Sequence, residues 1–179
     1  MERTGVVTMK GNPITLIGPE IRVNDKAPDF SCIDMELNQV TLADTRHRIR
    51  LIASVPSLDT SVCNKMTIRF NDEAERLNDD RVAWLTVSMD LPFAQKRFMD
   101  DEDIRDMKLY SDHIDASFGE TYGVLIKENR LLSRAVFVID RDNTVRYVEY
   151  VKENGELPDF EAALRVVWDL VAELDRAAA

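Results

Sequence analysis

Two kinds of periodicity alternate along the chain. "IRLIASV" (49–55) and "VAWLTVSMD" (82–90) are continuous apolar runs with the length and β-branched content of buried strands. Between them Val62, Met66, Phe70, Ala74 and Leu77 recur at spacings of four and three, which places them on one helical face. Asp72, Glu73, Glu75 and Arg76 fall on the opposite, polar face. This is the pattern of a βαβ unit.

The flanking segments extend it. "GVVTMKGNPITLIG" predicts a hairpin turning at Gly11-Asn12, with Pro13 at a strand start. A further strand is expected around Asp29–Ile33 and a short extended element around Val40–Leu42. "LPFAQKRFM" (91–99) predicts a short helix, followed by an acidic loop, "DDEDIRDM". "LLSRAVFVID" and "TVRYVEYV" read as two strands joined by "RDN", antiparallel because so short a link cannot cross over. From Asp159 onward Phe160, Leu164, Val167, Val171 and Leu174 space by four and three, an amphipathic helix that must dock on a sheet. The order of elements is that of one α/β domain over residues 1–179, a thioredoxin-like three-layer α/β/α sandwich with a mixed sheet and an N-terminal β-hairpin.

Composition narrows the function more than the fold. The chain carries 23 basic and 33 acidic residues, a formal charge of −10, so its surface as a whole repels nucleic acid and anionic membranes. No apolar run approaches the roughly 20 residues of a membrane span, and "MERTGVVTMK" lacks the layout of a secretory signal. A cytoplasmic address is expected, with disorder only at the ends, around Ala177–Ala179. The two cysteines, Cys32 and Cys63, form neither a disulfide scaffold nor a Cys-x-x-Cys pair, and His47 and His113 are far from both in sequence. No metal, flavin or haem is called for.

The informative stretch is "PSLDTSVCNKM" (56–66), where a strand gives way to a helix. Asp59 or Thr60 can cap the helix that begins near Ser61, which puts Cys63 in its first turn. An isolated buried cysteine is commonly inert core filler. A helix start, however, favours thiolate over thiol, and a nearby cation adds to the effect. A thiolate among N–H donors and a hydroxyl can attack a peroxide oxygen, while the donors stabilise the negative charge on the departing one. The sulfur is left as a sulfenic acid.

These residues resemble the peroxiredoxins. Pro56, Thr60 and Cys63 match that family's P-x-x-x-T-x-x-C pattern, and "PSLDTSVC" is similar to its thiol peroxidase (Tpx) branch. So are "GNPITLIG", "APDF", "VSMDLPFAQKRF", "FGETYGVLI", "LLSRAVFVID" and "LPDFEAAL", in that order along the chain. The resemblance implies reduction of hydrogen peroxide and of alkyl or lipid hydroperoxides at Cys63. Thr60 would orient the peroxide, Pro56 would shield the sulfur, and Arg134 would stabilise the thiolate and the leaving oxygen. It also implies a homodimer, with Phe93 and Phe98 at its contact or at a substrate entrance, burial within the chain being the competing account. Nothing in the residue pattern itself selects Arg134 from the 23 basic residues.

One departure stands out. In most of that branch the position after "QKRF" carries a resolving cysteine; here it is Met99, and a thioether cannot form a disulfide. Cys32, in "DFSCID", is expected to be strand packing rather than a substitute. Recycling would then need an external thiol, thioredoxin or a small thiol. The rival expectation is a redox sensor or binding protein that acts through a mixed disulfide with a partner.

Overall fold

The computed structural model describes residues 1–179. Strands β1 (Glu2–Met9) and β2 (Asn12–Ile17) form the N-terminal hairpin; β3 (Ser31–Ile33) and β4 (Gln39–Thr41) form a second, short one. The βαβ unit follows as β5 (Ile49–Ser54), α1 (Ser61–Leu77) and β6 (Val82–Ser88), then α2 (Pro92–Asp101), β7 (Lys108–Ser111), α3 (Ser117–Thr121) and β8 (Leu125–Ile126). The chain ends with β9 (Ala135–Ile139), β10 (Val145–Tyr150) and α4 (Phe160–Ala178). The last helix therefore continues through Ala178.

Seven strands form one mixed sheet in the order β10-β9-β5-β6-β7-β3-β4, with β5, β6 and β7 parallel and the other pairings antiparallel. Side chains alternate across it as the pleat requires. On one face Leu51, Ala53, Val136 and Val138 pack under α1 and α4, with Met66, Phe70, Leu164 and Val167 closing the core. On the other, Ile52, Leu85, Val87 and Phe137 meet Phe118, Tyr122 and Leu132 from α3 and its neighbouring loops. That second covering layer is thin: one short helix and connecting chain. β8 pairs with β2 in a separate three-stranded sheet.

Several local expectations shift. The first hairpin turns at Lys10-Gly11, one residue early, because both central residues take positive φ (52° and 77°) as a tight hairpin requires. Glu73 is buried rather than on the solvent face, since Arg69 and Arg76 of the same helix both reach its carboxylate. Asp100 and Asp101 finish α2 instead of opening a loop. Arg50 is fully buried on β5, where it donates to the Asp140 carbonyl (2.9 Å) and the Asn143 side chain and so ties down the β9–β10 turn.

Candidate active site

β5 delivers the chain to the site. Its last residues and the buried Pro56 run straight into α1, and the intervening loop is held to the end of β6 by one carboxylate. Asp90 accepts from Ser57 Oγ, Leu58 N and Ser88 Oγ, each at 2.8 Å. Fixing the loop in this way fixes where α1 begins.

Thr60 occupies the N-cap of α1, but its hydroxyl makes no capping bond to a backbone N–H. It lies 2.8 Å from Cys63 Sγ and 2.9 Å from the Ser57 carbonyl, so its single proton is offered to one or the other. Cys63 itself is fully buried in the first turn. The helix start thus donates its cap to a sulfur.

From the opposite direction comes Arg134, one residue before β9 and 2% exposed. Its Nη2 donates to Cys63 Sγ at 3.3 Å and its Nη1 to Met66 Sδ at 3.4 Å. Its Nε donates to the Asn154 carbonyl (3.2 Å), and its backbone N–H to Asn154 Oδ1 (2.6 Å). None of the ion pairs in the structure includes Arg134. A desolvated guanidinium without a carboxylate has the Cys63 sulfur as its only candidate for an anionic neighbour.

The structure therefore brings Thr60, Cys63 and Arg134 together, with Pro56 buried in the loop that leads into α1. Beside them a cleft of about 370 Å³ opens between the start of α1 and the residues leading into it (Asp59, Thr60, Asn64) and the end of α2 (Arg97, Phe98, Glu102). Asn64 Nδ2 bridges its walls to Glu102 Oε1 at 2.8 Å. Phe98 is buried and lines this cleft, whereas Phe93 is 66% exposed, so the two aromatics divide between core and surface.

Cys32 lies elsewhere. It belongs to the core cluster on the other face of the sheet from Cys63. Its thiol donates to Asp112 Oδ1 at 3.5 Å, and burial, reinforced by that carboxylate, pushes its ionisation far up. It is a thiol packed into the core. Met99 is half-buried against the Cys63 side of the core and lines a different cleft of about 290 Å³ with Met107 and Tyr110. His113 Nδ1 pairs with Ser111 Oγ (2.8 Å), and His47 borders a charged cleft of about 340 Å³ near the start of β5, the end remote from Cys63. Asp90 and Asn154 could not have been picked out beforehand: an isolated loop carboxylate and an isolated loop amide carry no spacing signal.

Comparison with known proteins identifies the family. The redoxin family matches residues 22–164. The thiol peroxidase of Halalkalibacterium halodurans is 52% identical over 158 residues, 88% of this chain and 94% of that protein. The thiol peroxidase of Staphylococcus aureus (strain MRSA252) is 51% identical over the same shares. Among solved structures, a peroxiredoxin-like protein from Aquifex aeolicus superposes with a TM-score of 0.86 at 40% identity, covering 94% of this chain and 97% of its own. A thiol peroxidase from Chromobacterium violaceum shares the fold, with a TM-score of 0.78 at 23% identity over 91% of this chain and 95% of its own. With its thioredoxin-like sheet and a match spanning most of its length, the chain belongs to the redoxin family, in the thiol peroxidase branch of the peroxiredoxins.

Proposed function

We propose that this protein reduces hydroperoxides through a sulfenic acid at Cys63, with Thr60, Arg134 and Pro56 completing the reacting centre. One observation carries the assignment: a hydroxyl at 2.8 Å and a carboxylate-free guanidinium at 3.3 Å converge on the sulfur of a helix first turn. The Cys63 thiolate attacks the terminal oxygen of R–O–O–H, the O–O bond breaks, and the electron pair leaves on R–O⁻. That oxygen takes the proton the thiol had released, so the products are Cys63–S–OH and R–OH. Arg134 and Thr60 offer their N–H and O–H to the charge as it moves from sulfur to the leaving oxygen. Pro56, buried behind the loop, keeps water from the sulfur.

Recycling proceeds with an external thiol. Cys32 would have to cross the sheet to reach Cys63, and Met99 supplies only a thioether. An incoming thiol therefore condenses with the sulfenic acid, releasing water, and a second thiol breaks the mixed disulfide. Thioredoxin and small thiols both have this chemistry. Alkyl and lipid hydroperoxides are the substrates we favour alongside hydrogen peroxide. A homodimer pairing through exposed Leu91 and Phe93 is part of the same proposal, as is a cytoplasmic address.

The test is the intact mass of the reduced protein after one equivalent of cumene hydroperoxide, with and without a sulfenic-acid trap. A trappable gain of one oxygen that needs Cys63 but not Cys32 is the expected result. Loss of two hydrogens dependent on both cysteines would make Cys32 the resolving thiol, and an unchanged mass would reject the peroxidase assignment to Cys63.

A further inference from the structure

The N-terminal hairpin reaches the site through a single loop. After β10, residues 152–155 run beside β1: Thr8 N donates to the Lys152 carbonyl (2.7 Å) and Asn154 N to the Thr8 carbonyl (2.8 Å). Between these bonds the Glu153 carboxylate collects four donors. They are Thr8 Oγ1 (2.8 Å), Lys10 N (2.9 Å), Gly11 N (3.0 Å) and Gly155 N (3.2 Å). Together they hold its carboxyl down at about 2, so it is ionised throughout the neutral range. The hairpin turn is thereby clamped to the residue that precedes Asn154.

Asn154 is in turn the only residue that gives Arg134 oxygen acceptors for its N–H groups. Its side chain receives the backbone N–H and its carbonyl receives Nε, while the two terminal nitrogens face sulfur atoms. A guanidinium is planar, so holding Nε at one edge decides where Nη2 points at the other. Displacements near 1 Å at a reacting centre cost on the order of a hundredfold in rate.

We propose that Glu153 and Asn154 are positioning residues for the peroxidase reaction: the hairpin turn holds the 152–155 loop, and the loop aims Arg134 at Cys63. This inference rests on the assignment of Cys63 as the nucleophile. Neither residue touches the reacting atoms. Both act through the guanidinium.

The experiment compares Glu153→Ala with Glu128→Ala. Glu128 also anchors the hairpin, accepting Thr15 N at 2.9 and 3.2 Å, but makes no contact with Arg134 or Asn154. Two quantities are read: the single-turnover rate of Cys63 oxidation by cumene hydroperoxide, and the pH profile of Cys63 alkylation by iodoacetamide. Glu153→Ala should slow oxidation by about tenfold or more and displace the alkylation profile to higher pH. Glu128→Ala should change the rate by less than about twofold and leave the profile in place, whatever stability it loses. In an Arg134→Lys background the Glu153→Ala penalty should disappear, because both changes remove the same alignment. Equal effects of the two alanine variants, or an undiminished Glu153 penalty beside Arg134→Lys, would overturn the proposal. Should Glu153→Ala fail to fold, Glu153→Gln keeps one acceptor oxygen and must show a smaller loss with the same dependence on Arg134. If the parent's Cys63 is not oxidised at all, the peroxidase assignment falls, and the alkylation profiles alone decide whether the loop aims the arginine.

Discussion

Replacing Thr60 with valine separates two roles that usually coincide at a helix start. Valine keeps the shape of the side chain and exchanges the hydroxyl for a methyl group. Removing an N-cap threonine ordinarily costs about 1 kcal/mol of stability. Here the side chain makes no capping bond and is exposed, so the cost should stay within about 0.5 kcal/mol. The 2.8 Å contact to Cys63 Sγ is lost outright. A hydrogen bond to a charged partner contributes about 1.5–3 kcal/mol, which becomes a fall of about 10- to 150-fold in kcat/KM for cumene hydroperoxide at saturating reductant. Thr60→Ser restores the donor and should recover to within about threefold of the parent. Thermal unfolding of the same three proteins completes the measurement. A Tm lowered by about 2–4 °C, the equivalent of about 1 kcal/mol in a chain of this size, with kcat/KM unchanged, would return Thr60 to an ordinary cap and refute the argument.

Other perturbations address the rest of the molecule. Cys32→Ala should leave peroxide turnover unaltered, because the thiol lies on the far face of the sheet; a steady-state assay with a small-thiol reductant checks it. Met99→Cys places a thiol on the Cys63 side of the core, and the product of one equivalent of hydroperoxide should change from a gain of one oxygen to a loss of two hydrogens, read by intact mass. Burial pushes the Asp112 carboxyl up to about 6, against roughly 3.9 in an unfolded chain, so between these values the folded state binds more protons than the unfolded state. Its stabilising contribution is present below about pH 4 and is lost as the pH rises through 6, on the order of 1–3 kcal/mol. Urea titrations across that window should show this decline in the parent and not in Asp112→Asn. If the proposed homodimer pairs through α2, Phe93→Glu, at an exposed position there, should shift sedimentation equilibrium toward monomer while Cys63 oxidation in the isolated chain persists.

The central elements were legible because each carries its own period. β5, α1, β6 and α4 fall where apolar runs and helical spacing put them, and the motif around Cys63 lands on the predicted strand-to-helix junction. β7, α3 and β8 were not foreseen. They span four, five and two residues, too few for any periodicity to repeat, and are held by neighbours distant in sequence. Glu73 shows the converse: a helical wheel sorts residues by character, and only the fold reveals that two arginines make a buried glutamate tolerable. At the site, Cys63 and Thr60 are three residues apart and could be read together, while Arg134 is 71 positions from the cysteine and needed the family resemblance to be noticed. Asn154 and Asp90 hold backbone and loop by hydrogen bonds that leave no trace in spacing.

The carboxylate-free setting of Arg134 changes what an inactive variant means. On the proposed assignment, exchanging Cys63 for alanine should do more than stop the chemistry: the buried Arg134 guanidinium loses its sulfur partner, and stranding one member of a buried pair elsewhere costs about 3–5 kcal/mol. The proposed nucleophile would thus also be a structural ballast, and the familiar dead-enzyme control would be a weakened fold whose stability must be measured before its silence is interpreted. Arg134→Met combined with Cys63→Ala removes both halves and gives the better blank.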